Sequence, residues 1–142
     1  MTEKSTKKLT RPEIREGAFL ELYQLMFGTT LEEIDELNAD AFDMAKNEQT
    51  DEIVNGVLAH EEELCGVISK YSKSRAIARI AKVNLVILKI AIYEMKYSDK
   101  IPPAGAINEA VELAKKYSLK PDSGFINGIL NSYLEELNGN KQ

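Results

Sequence analysis

The residue types here that could do chemistry are one cysteine, one histidine and several runs of carboxylates, and their spacing argues against a reaction. Cys65 stands among apolar residues in V-L-A-H-E-E-E-L-C-G-V-I. A lone thiol cannot close an internal disulfide, and in this setting it reads as a small buried hydrophobe suited to a reducing cytosol. His60 has no second histidine or cysteine pair at ligand spacing, so no metal site is expected and the ring reads as exposed or hydrogen-bonded. Glu61-Glu62-Glu63 and Glu135-Glu136 read as solvated helix faces. Asn-Gly at 55–56 and 127–128 falls inside helical periodicity, where it forms neither a hairpin turn nor a phosphate cradle. A nucleophile–base pair, a glycine-rich phosphate loop and a metal-spaced cluster are each missing. The expectation is a protein without catalytic residues or cofactor, and not an enzyme.

Charge is the more informative signal. The chain has 142 residues and a net charge of −5. Its first 15 residues carry Lys4, Lys7, Lys8, Arg11 and Arg15 against Glu3 and Glu13, a net of +3, which leaves −8 on the remainder. A basic arm on an acidic body is the pattern of a local phosphate-contacting patch. Between Glu63 and Glu94 there is no acid at all, while Lys70, Lys73, Arg75, Arg79, Lys82 and Lys89 are present. That stretch reads as either a second contact surface or a solvated face balanced by distant carboxylates. No apolar h-region follows the basic N-terminus, and the most apolar segment, Val83 to Tyr97, is short for a membrane span and carries Lys89, Glu94 and Lys96. A cytoplasmic protein with no membrane role is expected.

The elements that would position these groups are all helical. Thr10-Arg11-Pro12-Glu13 has the capping-box pattern with proline in the first turn. Ile14, Ala18, Leu22, Leu25 and Met26 continue it to Gly28. Thr30-Leu31-Glu32-Glu33 opens a second helix through Ala45. Thr50 opens a third, running some twenty residues to Ile68 and only weakly interrupted by Gly56 and Gly66. Ser72 to Ser74 reads as a turn and Arg75 to Ala81 as a short helix. The segment from Val83 to Tyr97 is too long for a strand and has no second strand to pair with, so it reads as a central buried helix. Ile101-Pro102-Pro103 stops it and starts the next, with Ile107, Ala110, Val111 and Ala114 on one face. A last helix begins near Phe125. The fold class is all-α, about seven helices in two packed subdomains. The expected boundaries are a flexible arm over 1–9 and one domain over 10–138, divided into about 10–71 and 72–138. Asn108 and Asn127, inside apolar faces, are expected to be buried and bonded to backbone.

Four segments carry a family resemblance. Arg15-Glu16-Gly17-Ala18-Phe19-Leu20-Glu21-Leu22-Tyr23-Gln24 resembles the first helix of the NusB family, and Val83 to Glu94, ending I-L-K-I-A-I-Y-E, resembles its fifth. Ile101-Pro102 with Ala106-Ile107-Asn108-Glu109-Ala110-Val111-Glu112-Leu113-Ala114-Lys115 is similar to the family's I-P-x-x-V-A-I-N-E-A-V-E-L-A-K. Phe125-Ile126-Asn127-Gly128-Ile129-Leu130 is similar to its F-V-N-G-V-L. The order is kept over about 120 residues. The resemblance implies a transcription antitermination and termination factor with a two-subdomain helical fold. It implies binding to boxA-type single-stranded RNA, a heterodimer with the small-subunit ribosomal protein NusE, and indirect association with the RNA polymerase elongation complex, without DNA.

On these grounds Lys4, Lys7, Lys8, Arg11 and Arg15 are expected to meet phosphates. Phe125 is expected to stack on an unpaired base unless it is core. Tyr23, Arg79 and Asn84 are expected to face the protein partner. Two departures stand out. Pro12 and Glu13 occupy a segment usually rich in arginine, which weakens the RNA expectation, and Asn84 stands where the family commonly has an acid facing NusE. The alternatives are a helical protein-interaction adaptor with weak or lost RNA binding, or a stand-alone relative of the N-terminal module of ribosomal-RNA cytosine methyltransferases.

Overall fold

A computed structural model describes residues 9–28 and 47–139. Among them are six α-helices and one 3-10 turn: α1 Arg11–Leu25, α2 Glu48–Ala59, α3 Glu61–Tyr71, the turn Ile77–Arg79, α4 Lys82–Tyr97, α5 Pro103–Tyr117 and α6 Asp122–Gly139. The basic residues Lys4, Lys7 and Lys8 and the helix expected after Thr30 lie outside the described residues. By packing, the chain forms two units, 1–55 and 56–142. The sequence places the division near residue 71. Helix α3, on which Leu64 and Ile68 are buried, packs with α4 and α6 and belongs to the second unit.

In the first unit, α1 starts on the expected capping box. The Glu13 amide donates to Thr10 Oγ1 at 3.2 Å and the Thr10 amide donates to Glu13 Oε1 at 2.9 Å. Two otherwise unpaired donors are thereby satisfied, and Pro12 adds a preset φ where no N–H is needed. The helix ends into Gly28, whose φ of 90° lies where a side chain would be strained. Ile14, Ala18, Phe19 and Leu22 are buried on one face. Helix α2 begins two residues earlier than expected, at Glu48, because Asn47 Oδ1 accepts from the amides of Gln49 at 2.7 Å and Thr50 at 3.3 Å. Thr50 is instead buried, its hydroxyl donating to the Ile14 carbonyl at 3.5 Å.

The long third helix of the sequence reading is two helices, and His60 is the break. Its backbone sits at φ −114°, ψ 24°, and its ring nitrogen Nδ1 lies 2.9 Å from the Gly56 carbonyl, which the His60 amide also approaches at 3.2 Å. The imidazole is held at 4.3 Å between ring centroids against Tyr97. Helix α3 restarts when the Leu64 amide donates to the His60 carbonyl at 2.9 Å.

The second unit is built on α4, which is packed by α3, α5 and α6. Eleven of its sixteen residues are buried, including Leu85, Val86, Ile87, Leu88, Ile90, Ala91 and Ile92. Truncating one of these, Leu88 for example, would cost about 2–5 kcal/mol. Lys89 is only 8% exposed and is satisfied by Glu61 Oε2 of α3 at 2.7 Å. Helix α3 is tied further to α4 by Glu63, which takes Lys96 Nζ and Tyr97 Oη. It is tied to α6 by Glu136, which takes Lys70 Nζ at 3.0 Å and Tyr71 Oη. Pro103 opens α5 behind Pro102, and Lys115 and Lys116 close it, where a positive charge suits the helix dipole.

Arg75 to Ala81 forms only the single 3-10 turn, since Ser72 Oγ donates to the Arg75 carbonyl at 2.6 Å across a bend and Ala76 before the turn is extended. Asn108 and Asn127 are not buried. The helical period of about 100° per residue turns each away from the stripes of Ala106, Ala110, Leu113 and of Ile126, Ile129, Leu130. Both line an open groove of about 460 Å³ between α5 and α6, with Ile107, Val111 and Leu134.

Candidate RNA and partner interface

The expected site residues separate into those that remain available and those the fold has used. In the first unit, Arg15 is 2% exposed and so is not a surface phosphate contact; it lies on the buried face of α1 beside Ile14 and Ala18. The reason is helical phase, because residues 14, 15, 18 and 22 fall on adjoining positions of one face. Arg11 is half-buried, with Nη1 donating to Gln49 Oε1 at 3.0 Å. Tyr23 is half-buried in an aromatic ladder, stacked on Phe19 at 5.9 Å and meeting the exposed Phe27 edge-on at 5.0 Å. A ladder ending in an exposed ring is apolar surface of the kind that proteins cover by association.

In the second unit, Arg79 is exposed at the end of the 3-10 turn. Asn84 is a correction, since it is completely buried and cannot face a partner directly. Its amide group points into the unit. Nδ2 donates to Asp122 Oδ2 at 3.0 Å, and Oδ1 accepts from Ser118 Oγ at 2.6 Å. Ser118 Oγ also lies 3.2 Å from Asp122 Oδ2. These contacts, Asn84 first, hold the Asp122 carboxyl below the usual aspartate range against the opposing effect of burial, with Arg75 contributing as well.

Asp122 in turn reaches Arg75, whose Nη2 lies 3.6 Å from Oδ1. The Arg75 guanidinium sits over the Phe125 ring at 4.2 Å from its centroid. Phe125 is thus half-exposed and in the first turn of α6, which starts at Asp122, three residues before the expected start. The fold therefore brings Asn84 and Phe125 together through two residues that sequence reasoning did not single out, Asp122 and Ser118, and one it placed only in a charge stretch, Arg75.

The acid-free stretch does not form a single uncompensated face. Lys70 pairs with Glu136, Arg75 with Asp122 and Lys89 with Glu61, all acids from distant segments. Lys73, Arg79 and Lys82 are exposed. Cys65 is half-buried, and burial pushes its thiol up, away from the reactive thiolate. Among the described residues no group of three or more histidines, cysteines or carboxylates could hold a metal ion, and no helix is long and apolar enough to cross a membrane.

Residues 12–135, nearly the whole of these elements, match the NusB family. The chain belongs to that family. It is 44% identical over 120 residues to the transcription antitermination protein NusB of Acetivibrio thermocellus, covering 82% of each chain. The NusB of Enterococcus faecalis is 37% identical over 145 aligned positions, covering 94% of each. Among solved structures, T. maritima NusB is similar at a TM-score of 0.78 and 28% identity, covering 92% of this chain and 94% of that one. A chain from a crystal structure of antitermination factors NusB and NusE in complex with dsRNA is similar at a TM-score of 0.70 and 26% identity, over 86% and 93% of the two chains. The all-helical fold of this NusB-family member is therefore the family's own. Asn84 supplies an amide to an aspartate thirty-eight positions later in the chain, a pairing that no local pattern signals.

Proposed function

We propose that this chain is a cytoplasmic transcription antitermination factor that binds boxA-type single-stranded RNA together with NusE, acts in ribosomal-RNA transcription complexes, and catalyses no reaction. The observation that carries this is the match to the NusB family over residues 12–135, with a solved relative whose structure contains NusE and RNA. In the second unit Phe125 and Arg75 offer a half-exposed ring and guanidinium suited to an unpaired base, and exposed Lys73, Arg79 and Lys82 supply positive charge nearby in sequence. Phosphates would be met by Lys4, Lys7, Lys8 and Arg11, and the Tyr23 ladder and Arg79 would serve the protein partner.

A second reading is favoured by the burial of Arg15 and by Arg11's bond to Gln49, namely an adaptor that keeps NusE and has weakened its hold on RNA. Calorimetry of the full chain with NusE from the same organism, and with a boxA oligoribonucleotide over a range of salt, tests both. The proposal expects a one-to-one NusE complex and RNA affinity that falls by about 0.7 log units per phosphate contact per log unit of salt. A NusE complex with no salt-dependent RNA binding selects the adaptor, and the absence of both complexes in the micromolar range overturns the proposal.

A further inference from the structure

We infer that Arg75, placed over the Phe125 ring and paired with Asp122, is a base-stacking residue for single-stranded RNA rather than a phosphate contact, and that Asn84 and Ser118 position it through Asp122. This rests on the RNA-binding reading above and deepens it. An arginine beside an RNA site would ordinarily be assigned to a phosphate, but this one is placed otherwise. Its Nη2 lies 3.6 Å from the Asp122 carboxylate, so an acid inside the protein already stands beside its charge. The carboxylate is fixed by the buried Asn84 amide at 3.0 Å and by Ser118 at 3.2 Å, and those bonds favour its ionised form. What the guanidinium still offers is its plane. It lies over the Phe125 ring at 4.2 Å from its centroid while the side chain stays 36% exposed, so an incoming base would meet ring and guanidinium at one place. Bases stack on arginine planes as they do on aromatic rings, and the contact is tolerant of sequence. The buried Asn84–Asp122 pair restricts the rotamers of a long side chain before RNA arrives, which removes part of the ordering cost of binding.

A lysine at position 75 separates plane from charge. The full chain and its Arg75→Ala, Arg75→Lys, Asp122→Asn and Asp122→Asn/Arg75→Ala variants are titrated with a boxA oligoribonucleotide carrying 2-aminopurine, at several salt concentrations, with melting temperatures measured alongside. Both Arg75 variants should bind roughly 5- to 100-fold more weakly, the range of a lost base stack. They should keep the wild-type salt slope, lose quenching of one 2-aminopurine position, and melt only a few degrees lower for the loss of the pairing with Asp122. Asp122→Asn should weaken binding less, and the double variant should be no weaker than Arg75→Ala. Wild-type affinity in Arg75→Lys, or a salt slope reduced by about 0.7 in Arg75→Ala, would make Arg75 a phosphate contact and overturn the inference. Further weakening in the double variant would overturn the positioning role of Asp122. A wild-type chain that binds no RNA fails the underlying reading instead, and the inference with it.

Discussion

Replacing Asn84 by Asp asks whether the buried amide is what allows Asp122 to stay ionised. Asn84 is fully buried, donates to Asp122 Oδ2 at 3.0 Å and accepts from Ser118 Oγ at 2.6 Å. A carboxyl at position 84 keeps the size and the serine bond but removes the donor and sets two carboxylates in contact. Two like charges about 4 Å apart at an effective dielectric near 20 repel by about 4 kcal/mol. Holding one of them protonated instead costs about 1.4 kcal/mol per pH unit above an ordinary pKa near 4, which is about 5 kcal/mol at pH 8 and about 1.5 kcal/mol at pH 5. The protein adopts the lower-energy option at each pH, so the penalty is about 4 kcal/mol at pH 8 and about 1.5 kcal/mol at pH 5. For a chain of 142 residues, an unfolding entropy of about 2.1 cal/mol/K per residue makes each kcal/mol worth about 3 °C in Tm.

Asn84→Asp should therefore melt about 12 °C below the wild type at pH 8 and about 5 °C below it at pH 5. The added carboxyl has a folded pKa raised above its unfolded value, so the stability it retains is present in acid and is lost as the pH rises through the folded pKa. Thermal unfolding followed by circular dichroism across that range reads both numbers. A penalty that does not change with pH, or no penalty, would refute the reasoning, because positions 84 and 122 would then not share a desolvated site.

Gly56 and Gly66 are both helical glycines, yet they should respond to alanine with opposite signs. A Cβ on Gly56 would meet the Tyr93 ring at 2.2 Å, displacing a side chain that also packs on His60 and Tyr97, whereas one on Gly66 meets nothing within 4 Å. Gly66→Ala is expected to stabilise by about 0.5–1 kcal/mol through helix propensity, and Gly56→Ala to destabilise by about 1–2 kcal/mol after the same gain is offset by overpacking; urea midpoints check both. Acid should weaken the second unit. Glu63, held down first by Lys96 and then Tyr97, Glu136, held down first by Tyr71 and then Lys70, and Asp122, held down first by Asn84, all have folded pKa values below their ordinary ones of 4.5, 4.5 and 3.8. Their contributions are present above those ordinary values and are lost as pH falls through the lowered ones, so urea midpoints should drop below about pH 4.5 and Lys70→Met, which removes one partner of Glu136, should make that drop shallower.

What the sequence determined by itself was local or periodic. The Thr10–Glu13 capping box, the stop at Gly28, the proline start of α5 and the burial of α4 all depend on residues within a turn or two of one another, and the structure reproduces them. The family was legible for the same reason, since its motifs lie within single helices. Tertiary structure decided the rest. Periodicity marks an apolar stripe but not its edges, so Arg15 was expected at the surface and lies buried, while Asn108 and Asn127 were expected inside and line an open groove. Nor does it register a break made by a side chain, and the division of α2 from α3 needed His60 to meet Gly56 and Tyr97 at once. The chain from Asn84 through Asp122 to Arg75 and Phe125 spans three segments separated by helices. A buried amide, a carboxylate and a guanidinium over a ring have no common period, and only the packing of α6 on α4 makes them neighbours.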